Sequence, residues 1–304
     1  MSGAAWNEKE HLVKLYVVNV LVQLNRYGLK RDIPDSIKRV VRQRCGFGCV
    51  VCGKAIYQYH HTNPSFADAT EHDAAKIVLL CSECHGRVTS GLLSNRTVDK
   101  SALSPKCLEK GSSYFPLDIN DESDGELQVR VVLGTTTFIN VRSIIKLNNK
   151  PLFSILPPET LGSPARLSAS FYDISGSEIA RIIENEWQSS SANWDVEIVG
   201  PKITIRQKLG DICLIIKNDP PKGLIVEKLN MFYQGFKVVA DTERVAIWSP
   251  SGSESTGPFS FSGVNSAGAT ITSTIGGDIS VINLTNRQPY KRKKSRPFEF
   301  YDVP

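Results

Sequence analysis

Between residues 45 and 85 the chain gathers the side chains that hold metal ions. Cys49-Val-Val-Cys52 and Cys81-Ser-Glu-Cys84 bracket Tyr59-His60-His61, and His85 directly follows the last cysteine. These 41 residues carry five of the seven cysteines and four of the five histidines, too dense a grouping for random scatter. Two Cys-x-x-Cys pairs 28 residues apart predict a structural Zn²⁺. Four thiolates close a tetrahedral shell, and the two-residue gap lets both sulfurs of a pair reach one ion from a single knuckle. Gly46, Gly48 and Gly53 supply the tight turns that knuckles require. A small polar domain of this kind needs its metal, because structural zinc contributes on the order of 10 kcal/mol to folding. Cys45 lies outside the two-residue spacing, and Cys107 and Cys213 read as ordinary thiols. Four cysteines already satisfy one ion, so His60, His61 and His85 are left unexplained by it. A lone histidine is more often a core or surface side chain. Two adjacent histidines on one strand point to opposite faces, so they do not share one job.

The elements that must position these residues are legible in part. Residues 6 to 28 read as a helix with Leu12, Leu15, Val18 and Val22 on one face and Gly28 as its stop. A second helix follows Pro34, with Asp35 or Ser36 near its cap and Ile37, Val40 and Val41 inward, and ends at Gly46. Between Val78 and Ser94 a turn with Cys81 and Cys84 leads into a short helix carrying His85. Residues 106 to 126, rich in Gly, Ser, Pro and Asp, read as a linker that begins near residue 104. From 127 to 290, short β-type runs recur at roughly ten-residue spacing, as in a sandwich or barrel, with a short β-solenoid as the second architecture. One helix is expected over Ser177 to Trp187. Residues 291 to 304 form a basic tail around Lys291-Arg-Lys-Lys294. The fold class is therefore α+β: a small metal domain with a helical N-terminus over residues 1 to 105, then a mostly β domain.

The segment from Arg42 to Ser94 resembles the HNH, or ββα-metal, endonuclease family in its zinc-braced form. The matching features are Cys49-x-x-Cys52, the Tyr59-His60-His61 strand, Pro64, the apolar run Ile77-Val-Leu-Leu80, and Cys81-x-x-Cys84-His85. The resemblance covers about a sixth of the chain. It implies that His60 and His85 hold a catalytic divalent ion such as Mg²⁺ or Mn²⁺, and that His61 is the general base that deprotonates water. Phosphodiester backbone, double-stranded DNA first, is the implied substrate. Where the family carries the Asn of its middle letter this chain has Lys76, which donates but cannot accept a hydrogen bond. His72 then reads as a structural residue or as an orienter of the base, and Tyr59 as a supporting side chain.

Charge favours the same partner. Residues 1 to 105 hold 14 Lys/Arg against 9 Asp/Glu, whereas the remainder holds 22 of each sign, so the whole net charge of +5 sits on the metal half. Arg39, Arg42 and Arg44 precede the first knuckle and Arg87 follows the last, a footprint suited to phosphates. A solvated helix face is the plainer reading of such a run. No run of 18 apolar residues occurs, so no membrane partner is expected. Paired cysteines without an export signal place the chain in the cytoplasm. The β domain shows no catalytic constellation, and Trp187, Trp194 and Trp248 are by default core residues. A regulatory, interaction or homo-oligomerising role is expected of it. An HNH module fused to such a domain is a plan used by restriction and anti-phage enzymes, which is an argument from architecture alone. Two other readings compete with the nuclease: a zinc-braced DNA-binding protein without catalysis, and a sensor in which the β domain controls the metal half.

Overall fold

The structure, a computed structural model, describes residues 24–120, 122–123, 126–160, 162–248, 270–272 and 280–284, with 127 and the short β segments at 122–127, 270–272 and 280–284 given by backbone alone. Residues 6 to 23 of the expected first helix lie outside this range, as does the basic tail. The part that is described, 24 to 30, is not helical. It is a tight turn in which Gly28 has φ +78° and Leu24 bridges to Lys30.

Among the described residues, the metal half is built from three α-helices and one β-hairpin. Helix α1 (Asp35–Cys45) starts after Pro34 and ends where Gly46 takes a left-handed conformation, φ +68°. Only glycine adopts that geometry without strain. Its Val41 is fully buried and Ile37 half-buried, but Val40 is exposed. Strands β1 (Gln58–His61) and β2 (Ile77–Leu80) pair antiparallel, with Tyr59 opposite Leu79 and His61 opposite Ile77. All four residues of β2 are buried, matching an unbroken apolar run. Helix α2 (Ser82–Thr89) follows directly and α3 (Asn95–Leu103) packs beyond it, capped by the Ser94 hydroxyl.

The stretch read as a linker has defined structure instead. Helix α4 (Lys106–Lys110) is followed by β3 (Ser112–Pro116), then by β4 (Glu122–Ser123) and β5 (Glu126–Leu127), which pair with each other. Strand β3 closes one edge of a seven-stranded sheet. The remaining strands are β6 (Arg130–Leu133), β7 (Thr136–Ile139), β8 (Ser143–Leu147), β9 (Lys150–Leu156), β10 (Arg166–Tyr172), β11 (Glu178–Ile183) and β12 (Glu186–Ser190). They continue as β13 (Asp195–Val199), β14 (Lys202–Lys208), β15 (Asp211–Asp219), β16 (Gly223–Tyr233), β17 (Phe236–Ala240), β18 (Val245–Trp248), β19 (Thr270–Thr272) and β20 (Ser280–Leu284). The seven-stranded sheet runs β20-β8-β9-β10-β11-β12-β3 and the nine-stranded one β13-β14-β15-β16-β6-β7-β19, with β17 and β18 branching from β16. Phe153, Phe171 and Trp187 of the first sheet share one apolar core with Val131, Leu214 and Leu229 of the second. Neighbouring strands are mostly antiparallel, so the described chain does not coil as a solenoid.

The helix expected over Ser177 to Trp187 is the β11–β12 hairpin. Glu184 and Asn185 both have positive φ, +47° and +70°, the geometry of a two-residue hairpin turn. The Asn185 side chain fixes that turn by accepting from Leu167 N at 2.7 Å and donating to Ala165 O at 2.6 Å. Elsewhere β16 enters its parallel pairing with β6 at Gly223, φ +141°, where an added Cβ would collide with the carbonyl of Arg130. Gly223→Ala should therefore lower the melting temperature by several degrees, as strain at a special φ typically costs 1–3 kcal/mol or about that. A melting curve that overlays the wild type would remove this account. Among the described residues, no helix is long and apolar enough to cross a membrane.

Candidate functional site

The four cysteines at 49, 52, 81 and 84 converge. In the first knuckle Gly53 N donates to Cys49 O at 2.8 Å and Cys49 N to Lys54 O at 2.9 Å, and Gly53 takes φ +88°. Val50 N donates to Leu79 O at 3.0 Å, which ties this knuckle to β2. In the second, Cys81 is the N-cap of α2 and its Sγ accepts from Cys84 N at 3.4 Å. All four sulfurs lie within 4.8 Å of one another, and Cys52 Sγ is 3.5 Å from Cys81 Sγ. Sulfurs about 2.3 Å from a tetrahedral ion stand about 3.8 Å apart, so the group can hold a metal ion and zinc fits it. Hydrogen bonding between the two thiols lowers the Cys49 pKa and raises that of Cys52. Burial pushes Cys84 up to about 12. Cys45 stays outside the cluster, a buried thiol raised to about 11 by desolvation. Cys107 packs beneath the knuckle, 3.5 Å from Gly53 O, and Cys213 sits in the β core.

The histidines divide by strand face, as alternation requires. His60 turns toward α2, where its ring lies 5.0 Å from that of His85 at 88°. Its Nε2 also approaches Asn95 Oδ1 at 3.4 Å. Burial lowers the His60 pKa against the opposing effect of Asn95, and the nearby His85 lowers it further. His61 turns the other way, toward His72 and Phe66, with ring centres at 5.3 and 5.5 Å. Desolvation first, then His72, bring its pKa down to about 4, so at neutral pH the ring is uncharged.

His72 does not join His60 and His85; it contacts His61, Nδ1 to Nε2 at 3.2 Å. Lys76 ends a short 3₁₀ turn, Ala74–Lys76, that Asp73 caps by accepting from Ala75 N at 2.8 Å. Its side chain is exposed, and its carbonyl accepts from Thr62 N at 2.9 Å. Backbone contacts therefore brace this loop. Tyr59 is half-buried and its hydroxyl accepts from Arg42 at 3.1 Å. Sequence reasoning missed Asn95, Phe66 and the carbonyl of Lys30. The Ser94 cap is the sequence signal that marks the helix start carrying Asn95.

Three of the four proposed phosphate contacts are engaged elsewhere, a correction to the footprint read from charge. Arg42 is 2% exposed, and its guanidinium forks onto Asp195 with two bonds of 2.8 Å. It also reaches Glu197 at 3.0 Å. Arg206 bonds the same two carboxylates at 3.0 and 2.8 Å. Burial opposes the charge on Arg42 most strongly, but the Asp195 hydrogen bonds and the electrostatics of Asp195, Tyr59 and Tyr57 together outweigh it and raise its pKa. Arg39 stacks over Trp194 at 5.1 Å and stands 3.7 Å from Asp195. Arg44 donates to the carbonyls of Ala74 and Ile77. Arg87 alone of the four is exposed. Helix α1 is thus an internal seam between the metal half and β13. No family model matches this chain, and no match is found among curated proteins or solved structures.

Proposed function

We propose that this chain is a zinc-braced, metal-dependent endonuclease of the HNH type that hydrolyses DNA phosphodiester bonds. The observation that carries the reading is the His60–His85 pair. A hairpin followed by a helix, pinned at both ends by cysteine knuckles, presents two imidazoles 5.0 Å apart. Two imidazoles sharing one ion at about 2.1 Å would hold their ring centres about 5 Å apart. A divalent ion such as Mg²⁺ or Mn²⁺ bound there would stabilise the charge that grows on the leaving oxygen. His61, uncharged at neutral pH, takes the proton from the attacking water. The same burial that keeps it neutral weakens it as a base, and an anionic phosphate beside it would raise its affinity for the proton. Exposed cations adjoin the histidines: Arg31 over Phe66, Arg87 two residues after His85, and Arg96 next to Asn95. These, rather than Arg39, Arg42 and Arg44, are the phosphate contacts of this reading. Arg42 also supports control by the β domain, because one guanidinium touches both Asp195 of β13 and Tyr59 beside His60.

The test is supercoiled plasmid incubated with the full chain and Mg²⁺ or Mn²⁺. Relaxed or linear product is expected, with His61→Ala slower by on the order of 10²-fold or more. Intact plasmid in every metal would sink catalysis. Retarded but uncut plasmid would leave a DNA-binding protein.

A further inference from the structure

We infer that His72 is a positioning residue that holds His61 in one tautomer, leaving Nδ1 of His61 as the atom that takes the proton. The inference rests on the reading of His61 as a base, and the argument starts at a backbone carbonyl. His72 Nε2 lies 2.9 Å from Lys30 O. A carbonyl oxygen only accepts, so His72 Nε2 carries the hydrogen. In a neutral imidazole the other nitrogen is then an acceptor. That nitrogen, Nδ1, is 3.2 Å from His61 Nε2. With both rings neutral, His61 Nε2 must donate, and its Nδ1 keeps the lone pair. Among the described residues the His61 ring is hydrogen-bonded through Nε2 and not through that Nδ1. The direction of the whole array is set by a group that cannot reverse it.

The carbonyl is itself held in place. Asn25 Oδ1 accepts from Tyr27 N at 3.0 Å and Leu29 N at 2.9 Å, which shapes the 24–30 turn. Its Nδ2 donates to Phe66 O and Ala69 O, both at 2.6 Å, and so fastens that turn to the loop carrying His72. Phe66 lies against His61 and in a near-parallel stack with His72, ring planes 10° apart. Two apolar contacts and two hydrogen bonds thus restrict rotation of the His61–His72 pair. The side chain of Lys76 is exposed and takes no part in this array.

The test is ¹⁵N NMR of histidine-labelled full chain near pH 8, above the ordinary imidazole range, read alongside plasmid cleavage. His61 should appear as the Nε2–H form in the wild type. His72→Phe keeps the stack but removes the acceptor: His61 should become a tautomer mixture, and kcat should fall at least tenfold with KM little changed. His72→Asn, whose Oδ1 sits where Nδ1 did, should restore both the single tautomer and most of kcat. A wild-type His61 protonated at Nδ1, or one whose tautomer ignores His72→Phe, overturns the inference. Because the tautomer is read without substrate, an inactive wild type with the expected spectrum would count against the nuclease and not against the array.

Discussion

Cys81→Ser should abolish stoichiometric zinc and unfold the metal half, while His85→Ala should stay folded and keep its zinc. The serine variant is a selective test because Cys81 does two things. Its Sγ accepts from Cys84 N at the start of α2 and stands 3.5 Å from Cys52 Sγ. Serine is itself a favoured helix cap, so the first role survives and only the thiolate is lost. What remains is a hairpin with four buried apolar residues in β2, clustered with Val41, Val50 and Val98. That is a small core, and metal binding on the order of 10 kcal/mol is what folds domains of this size. Elemental analysis and proton NMR of wild type, Cys81→Ser and His85→Ala read both quantities. Full zinc with unchanged spectra in Cys81→Ser would remove the sulfur shell. Loss of zinc in His85→Ala would show that sulfur and imidazole serve one ion.

Arg42→Ala should lower the melting temperature by about 5 °C or somewhat more in the absence of any DNA. The variant leaves Asp195 wholly buried with its two-pronged partner gone, and breaking a buried pair in this way costs about 3–5 kcal/mol. In a chain of 304 residues each kcal/mol moves the midpoint by about 1.5–2 °C. Arg206 and Arg39 still face Asp195, which keeps the loss toward the lower figure. Arg39→Ala should cost much less, since that side chain is a quarter exposed and 3.7 Å from the carboxylate. Calorimetry decides the matter. If Arg42→Ala melts with the wild type but binds DNA weakly, Arg42 is a phosphate contact after all and the seam carries no stability.

The readings that succeeded were local. Knuckles show in two-residue cysteine spacing, α1 in Pro34 and Gly46, and most strands in alternation of apolar and polar residues. The readings that failed turned on partners far along the chain. Arg42 looks like a phosphate ligand until Asp195 and Glu197, 153 and 155 residues later, arrive beside it. Charge counted along a sequence cannot see that neutralisation. Residues 112 to 116 look like linker because their partner strand, Glu186–Ser190, lies some seventy positions on. The β11–β12 hairpin was hidden because its turn is Glu184-Asn185 rather than a glycine pair, and the flanking Ile and Arg residues suit a helix as well. His61 and His72 are eleven apart on strand and loop, a spacing that no periodicity marks.

Strand β3 has one more implication. Its Tyr114 exchanges backbone bonds with the first knuckle, accepting from Ala55 N at 2.8 Å and donating to Gly53 O at 3.3 Å, while the same strand borders Trp187 in the seven-stranded sheet. Lys106 N meanwhile donates to Val50 O at 3.0 Å. A gene cut after residue 105 would strip the knuckle of its neighbours and the sheet of its edge in one stroke. The two halves are thus poor candidates for shuffling onto other proteins, and a recombinant made by swapping either one would have to carry residues 106 to 116 with both.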